Sequence, residues 1–223
     1  MLASAAALLL IGGGAIAYRI AEAPPPTLEP RPAQSRPALA LLTSLPLIFG
    51  EQFAVEGGGS PALARLEQRF EVEPIAVADA ASLKGRRLLL MAHPRAQPAE
   101  VLVELDAWVR AGGHVVLLAD PRLAWDGSRP LGDPLRPPPY FADTGLLAHW
   151  GLALGEDDEG RGVLRRTGAQ CSLDKESFVA RCAIGNGRAT IIADADFLMI
   201  ESDDPAAPHL DLLIDELARV EPR

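Results

Sequence analysis

Residues 87–121 read RLLLMAHPRAQPAEVLVELDAWVRAGGHVVLLADP, and the change of hydrophobic period inside this stretch decides the fold. Arg87 to Ala92 and His114 to Ala119 are compact apolar runs bounded by Gly, Pro or Asp, too short for helices. Such runs suit strands buried on both faces of a parallel sheet. Between them, Val101, Leu105, Trp108 and Val109 recur at helical spacing. Pro98 opens that helix, and Gly112-Gly113 supply the left-handed residue that closes it. A strand, a helix and a second strand at this spacing form the crossover unit that a parallel pair requires.

The same alternation continues outward. Ala38 to Phe49 and Ala189 to Ala193 are further central-strand candidates. Phe70 to Val77 alternates apolar and polar around Pro74, which belongs near a sheet edge, where a missing N–H costs least. Ser60-Pro61 is a helix cap followed by a favoured first-turn proline, with Leu63, Leu66 and Phe70 on one face. The preceding Gly57-Gly58-Gly59 lacks phosphate-loop spacing and reads as a loop. Asp143 or Thr144 caps a short helix through Trp150, and Leu210, Leu213, Ile214 and Leu217 mark a C-terminal helix.

Residues 161–197 differ. Gly162 to Arg166, Ser177 to Ile184 and Arg188 to Ala193 are predicted as antiparallel neighbours, with Asn186-Gly187 as a hairpin turn. The only two cysteines, Cys171 and Cys182, flank the turn at Asp174-Lys175-Glu176. They form a candidate disulfide in an oxidising compartment and are two small core residues in a reducing one, since strand register is not readable from sequence. The expected fold class is α/β, mainly parallel, with an antiparallel hairpin extension.

Three segments are expected. Residues 1–19 contain an apolar stretch, Leu2 to Tyr18, at the lower limit of a spanning helix. It reads as an N-terminal transmembrane anchor or, with Ala15-Ile16-Ala17 as cleavage site, as a signal. Arg19, Arg31 and Arg36 after it would by themselves favour a cytoplasmic head. Residues 20–37 are a proline-rich linker expected to act as a stiff stalk. Residues 38–223 are the α/β domain. Thirty acidic residues against 21 basic ones, a net charge of −9, argue against a nucleic-acid binder.

The segments LALLTSLPLIFGE, RLLLMAHPRAQPAEVLVELDAWVRAGGHVVLLADP, GLLAHWGLAL and GNGRATIIADADFL together resemble the extracytoplasmic domain of the GldG-type family, accessory components of gliding-associated ABC transporters. They are also similar to related domains of unknown function with a class I glutamine-amidotransferase-like fold. The resemblance implies a flavodoxin-like or amidotransferase-like three-layer sandwich. It further implies ABC permease and ATPase subunits as partners, and a bacterial inner membrane location with the soluble domain periplasmic.

An amidotransferase needs a thiolate at a sharp strand-to-helix turn, beside a histidine oriented by a carboxylate. Here the strand runs into His93-Pro94-Arg95, with no Cys or Ser at the turn. No catalytic residue, cofactor or metal is therefore expected. His93, Asp120, Asp194 and Asp196 all fall where apolar strands end, and they form a candidate crevice at the carboxyl edge of the sheet. Turn-forming aspartates are the simpler reading of the same residues. The expected function is a non-catalytic, membrane-anchored accessory or binding component of an ABC-type system. A carbohydrate- or nucleotide-binding enzyme and a structural envelope protein are the alternatives.

Overall fold

The computed structural model describes residues 29–49, 59–199 apart from 126, 128 and 131, and 208–221. Leu2 to Tyr18, residues 20–28 and Gly57-Gly58 lie outside them. No helix among the described residues is long and apolar enough to cross a membrane.

Seven strands form one sheet in the order β2-β1-β3-β4-β9-β8-β7. β1 (Ala38–Thr43), β2 (Glu71–Pro74), β3 (Leu88–Ala92), β4 (His114–Leu118) and β9 (Gly187–Ile192) run parallel, while β8 (Val179–Ile184) and β7 (Cys171–Leu173) complete the sheet antiparallel. β5 (Leu152–Glu156) and β6 (Gly162–Arg166) make a separate two-stranded antiparallel sheet. The mainly parallel α/β class is therefore as expected, and β2 is the edge strand that Pro74 demanded.

The physical reason for the buried runs is that successive strand residues point to opposite faces, each covered by helices. Leu89, Met91, Val115 and Leu117 pack on one face with Leu83 of α2 (Ala80–Leu83), Leu105 and Val109 of α3 (Ala99–Arg110), and Leu147 of α4 (Leu146–His149). Leu88, Leu90, Val116 and Leu118 pack on the other face with Leu63 and Leu66 of α1 (Pro61–Glu67) and Leu213 and Leu217 of α5 (Pro208–Val220). Ser60 caps α1 as expected, its hydroxyl accepting from the Leu63 N–H. Gly112 leaves α3 at φ 114°, which is why a glycine stands there.

Several expectations change. The run from Ala38 to Phe49 is a strand only to Thr43, because Pro46 cannot extend the ladder. Gly162 to Arg166 pairs with β5, not with the two later strands. The β8–β9 turn is Gly185-Asn186: Ile184 pairs with Gly187, and the positive φ falls on Gly185. α4 takes its capping acceptor from Asp143, whose Oδ1 accepts from the Gly145 and Leu147 N–H groups, while Thr144 plays no such part.

The last nine residues of the linker lie on the domain and do not stand off it as a stalk. The Arg31 N–H donates to the Gln68 carbonyl, the Arg31 guanidinium forks onto Glu221 at 2.9 and 3.1 Å, and Arg69 donates to the Glu29 carbonyl. Arg31 also sits over the Phe70 ring, 5.9 Å from its centroid. These contacts gather the linker, α5 and the entrances of β1 and β2 at the amino end of the sheet.

Cys171 and Cys182 face each other across β7 and β8 and form a disulfide. Gln170 and Ala183 exchange a ladder bond on one side, as Asp174 and Val179 do on the other. This places the two cysteines at a non-hydrogen-bonded pair, where opposite side chains approach most closely.

Candidate functional site at the carboxyl edge of the sheet

The four crevice candidates do meet at one edge, because β3, β4 and β9 are parallel neighbours and end there together. His93 follows β3, Asp120 follows β4, and Asp194 and Asp196 follow β9. One carboxylate oxygen from each of Asp120, Asp194 and Asp196 lies within 4.8 Å of the others.

Each of these carboxylates also holds a turn. Asp120 is buried, its Oδ1 accepting from the Arg122 N–H at 2.8 Å and its Oδ2 from the Ala195 N–H at 3.0 Å. It thereby joins the exits of β4 and β9. Asp194 Oδ1 accepts from the Asp196 N–H, and Asp196 Oδ1 accepts from the Ala124 N–H, 72 residues away in sequence. The turn chemistry expected of strand-end aspartates is present, but it reaches across the sheet edge and is not confined to neighbouring residues.

Three acids so close repel one another, and burial removes the water that would screen them. Burial, followed by the charges of Asp120 and Asp194, raises the Asp196 carboxyl to about 6. Asp120 is raised as well, mainly by burial, against the opposing pull of its two backbone donors. Partial relief comes from a residue that sequence reading missed. His209, at the start of α5, places Nδ1 3.7 Å from Asp194 Oδ2 and rests against the rings of Phe178 and Phe197. Its pKa is raised by that carboxylate. No local signal marks the pair, whose partners belong to different elements.

His93 is fully buried and adopts φ 46°, left-handed backbone that residues other than glycine rarely take. Its N–H donates to the Leu118 carbonyl, and its own carbonyl accepts from Ser44 Oγ. The ring Nε2–H donates to the Pro138 carbonyl at 2.9 Å, leaving Nδ1 as a bare acceptor with no hydrogen-bond partner. Burial lowers its pKa, so the ring is neutral around pH 7.

The proline-rich loop of residues 132–141 forms a strap over this edge. Phe141 N–H donates to the Asp120 carbonyl, Leu123 N–H to the Pro139 carbonyl, and Arg95 Nη2 to the carbonyls of Pro134 and Arg136 at 2.6 Å each. Beside the strap, Thr43, Ser44, Pro46, Ile48 and Leu135 line a cavity of about 320 Å³. Phe49, Leu135, Tyr140 and Met199 are exposed on loops at this edge. Chemically, the edge offers clustered carboxylates and one neutral imidazole. The turn after β3 holds His93 in left-handed backbone, with no Ser or Cys in that turn.

No protein-family profile matches the chain, and no curated protein does. Among solved structures, the mmIFT52 N-terminal domain aligns with 83% of this chain and 98% of its own length, at TM-score 0.50 and 12% identity. The exo-β-1,4-mannosidase Op5Man5 from Opitutaceae bacterium strain TAV5 aligns with 82% of this chain at TM-score 0.45 and 14% identity, and the chain spans 36% of that enzyme's length. A ThuA-like protein from Parabacteroides merdae aligns at TM-score 0.38 and 15% identity, covering 83% of this chain and 90% of its own. At these identities the likeness to the mmIFT52 domain shows a shared fold and nothing of function, and the two weaker ones carry no argument.

Proposed function

We propose that this chain is a non-catalytic, membrane-anchored accessory or binding component of an ABC-type transport system, related to the GldG-type family, with an amidotransferase-like sandwich as its head. One observation carries the reading: the polar groups at the carboxyl edge already hold loops together. Asp120, Asp194 and Asp196 each accept backbone N–H groups, and His93 donates to the strap. Residues bound in this way shape a surface for a partner, and the strap and exposed apolar loop residues suit a protein contact. The head is assigned to the periplasmic side of a bacterial inner membrane, consistent with a disulfide between Cys171 and Cys182.

A second reading draws on the raised Asp196 carboxyl, which is suited to a general acid beside two further carboxylates. It makes the edge a carbohydrate- or nucleotide-binding active site. Both readings are tested with the purified full chain. Affinity capture from the native membrane should bring down a permease and an ATPase. A screen against glycosides, phosphoesters, esters and amides, with and without Mg²⁺ and Ca²⁺, should give no turnover. Turnover that disappears in Asp120→Asn or Asp196→Asn with no fall in melting temperature would overturn the accessory reading in favour of the enzyme.

A further inference from the structure

The amino edge of the sheet differs in charge from the carboxyl edge. Lys84 and Arg87 before β3, Arg188 as the second residue of β9 and Arg219 near the end of α5 are all exposed. They rim two cavities of about 480 and 440 Å³, one floored by Trp108 and Gly113 and the other by Thr190. Between the cavities lies His114, which pairs across the sheet with Leu88 on one side and Arg188 on the other. Lys84, Arg87, His114 and Arg188 thus follow one another along the edge.

Four acids nearby are already engaged. Glu73 pairs with Arg86, Asp106 with Arg110 and Glu216 with Arg181 and Arg219, while Glu104 accepts from the Ala80 N–H. His114 registers the remaining positive field: its pKa is lowered by burial and then by Arg188 and Arg87, and its Nδ1 has no hydrogen-bond partner. On a chain of net charge −9, this cationic strip runs against the charge of the whole.

The strip shares its edge with the point where the chain arrives from its apolar N-terminus. Residues 29–37 are fastened to that edge through Gln68, Arg69 and Glu221. Only residues 19–28 separate Glu29 from the apolar segment, and ten residues reach at most about 35 Å when fully extended. With the apolar segment in a bilayer, the amino edge is the end of the domain nearest the membrane surface.

We infer that this edge is a docking surface for anionic phospholipid headgroups, with Lys84, Arg87 and Arg188 as its cationic contacts. The inference rests on the membrane-anchored reading above. Basic residues near an anionic bilayer are attracted to it over a distance of about one Debye length. A short tether holds the edge within that range, so contacts that are weak singly act at high effective concentration. The carboxyl edge, with its strap, then faces away from the membrane.

The test reconstitutes the full chain into vesicles of phosphatidylcholine alone, or of three parts phosphatidylcholine to one part phosphatidylglycerol. Each carries a trace of headgroup-labelled dansyl lipid, and energy transfer from tryptophan is measured. Transfer should be greater with phosphatidylglycerol, and the difference should vanish at about 1 M salt, where the Debye length is about 3 Å. The triple variant Lys84→Glu, Arg87→Glu, Arg188→Glu should lose the difference at unchanged melting temperature. Equal transfer in the two membranes, or a variant that keeps the difference, overturns the docking surface. Flotation separates this result from failure of the anchor. A chain that floats with both vesicles but transfers equally removes only the docking surface, and one that floats with neither removes both. One that floats only with phosphatidylglycerol keeps the surface and removes the anchor.

Discussion

Reducing the Cys171–Cys182 bond should destabilise the domain by an amount that follows from the loop it closes. The two residues are separated by 11 positions. A cross-link closing a loop of that size lowers the entropy of the unfolded chain enough to stabilise the native state by about 2.8 kcal/mol at 25 °C. At about 2.1 cal/mol/K of unfolding entropy per residue, this predicts a fall in melting temperature of about 7 °C. β7 is a three-residue edge strand paired only with β8, so the loss should also show locally. Calorimetry with and without a phosphine reductant gives the first reading. Amide exchange gives the second: the amides around β7 should exchange faster on reduction, while those of β4 and β9 keep their protection. Thiol labelling confirms that reduction is complete. Full reduction with a melting temperature unchanged within about 2 °C would refute the loop-entropy argument. Two free thiols in unreduced protein would remove the disulfide itself and with it one support for a periplasmic head.

Four further outcomes follow from the geometry. Asp196→Asn should raise the melting temperature above pH 6 and have little effect near pH 4. The folded carboxyl is raised to about 6 from the usual range, so its ionisation opposes folding above that pH, by at most about 3 kcal/mol, and the penalty fades as the group protonates in acid. His209→Gln should do the reverse below the pKa that Asp194 raises, because the protonated ring then stabilises the fold and the benefit is lost as pH rises through that pKa. Chemical denaturation across pH checks both, and a pH-independent difference contradicts them. Arg181→Ala leaves Glu216, which has no solvent exposure, with only the Arg219 guanidinium at 3.5 Å, and should destabilise by about 1.5 to 3 kcal/mol, whereas Arg181→Ala with Glu216→Leu should recover most of the loss. A chain beginning at Ala38 should be less stable to urea than one beginning at Glu29, by about 2 kcal/mol of unfolding free energy, because it lacks Arg31 on Glu221 and Phe70.

The central strands were legible because β1, β3, β4 and β9 are buried on both faces, and burial on both faces leaves an unbroken apolar run. The caps at Ser60 and Gly112 were legible because their chemistry is local. β7 and α2, of three and four residues, were not, since elements that short carry no full hydrophobic period. Pairing partners also escaped: nothing local in Gly162 to Arg166 distinguishes β5 from β8 as its neighbour. The same limit applies to the crevice. That His93, Asp120, Asp194 and Asp196 stand at strand ends is a local fact, and parallel strands bring such ends together. That His209 pairs with Asp194 and Pro138 closes on His93 depends on how distant segments fold back, and neither pairing leaves a mark in sequence.

The strand order has a consequence for biosynthesis. β4 lies between β3 and β9, and its pairing of His114 with Arg188 joins residues about 70 positions apart. A chain that emerges amino end first, from the ribosome or across a membrane, completes the unit from β1 to β4 before β9 is present. Until β9 arrives, the free side of β4, the run HVVLL, presents unpaired N–H and C=O groups along a hydrophobic ribbon. Such an edge is a template for another incomplete chain. A chain ending between residues 120 and 187 should therefore aggregate or bind a holdase, and a chain that includes β9 should do neither.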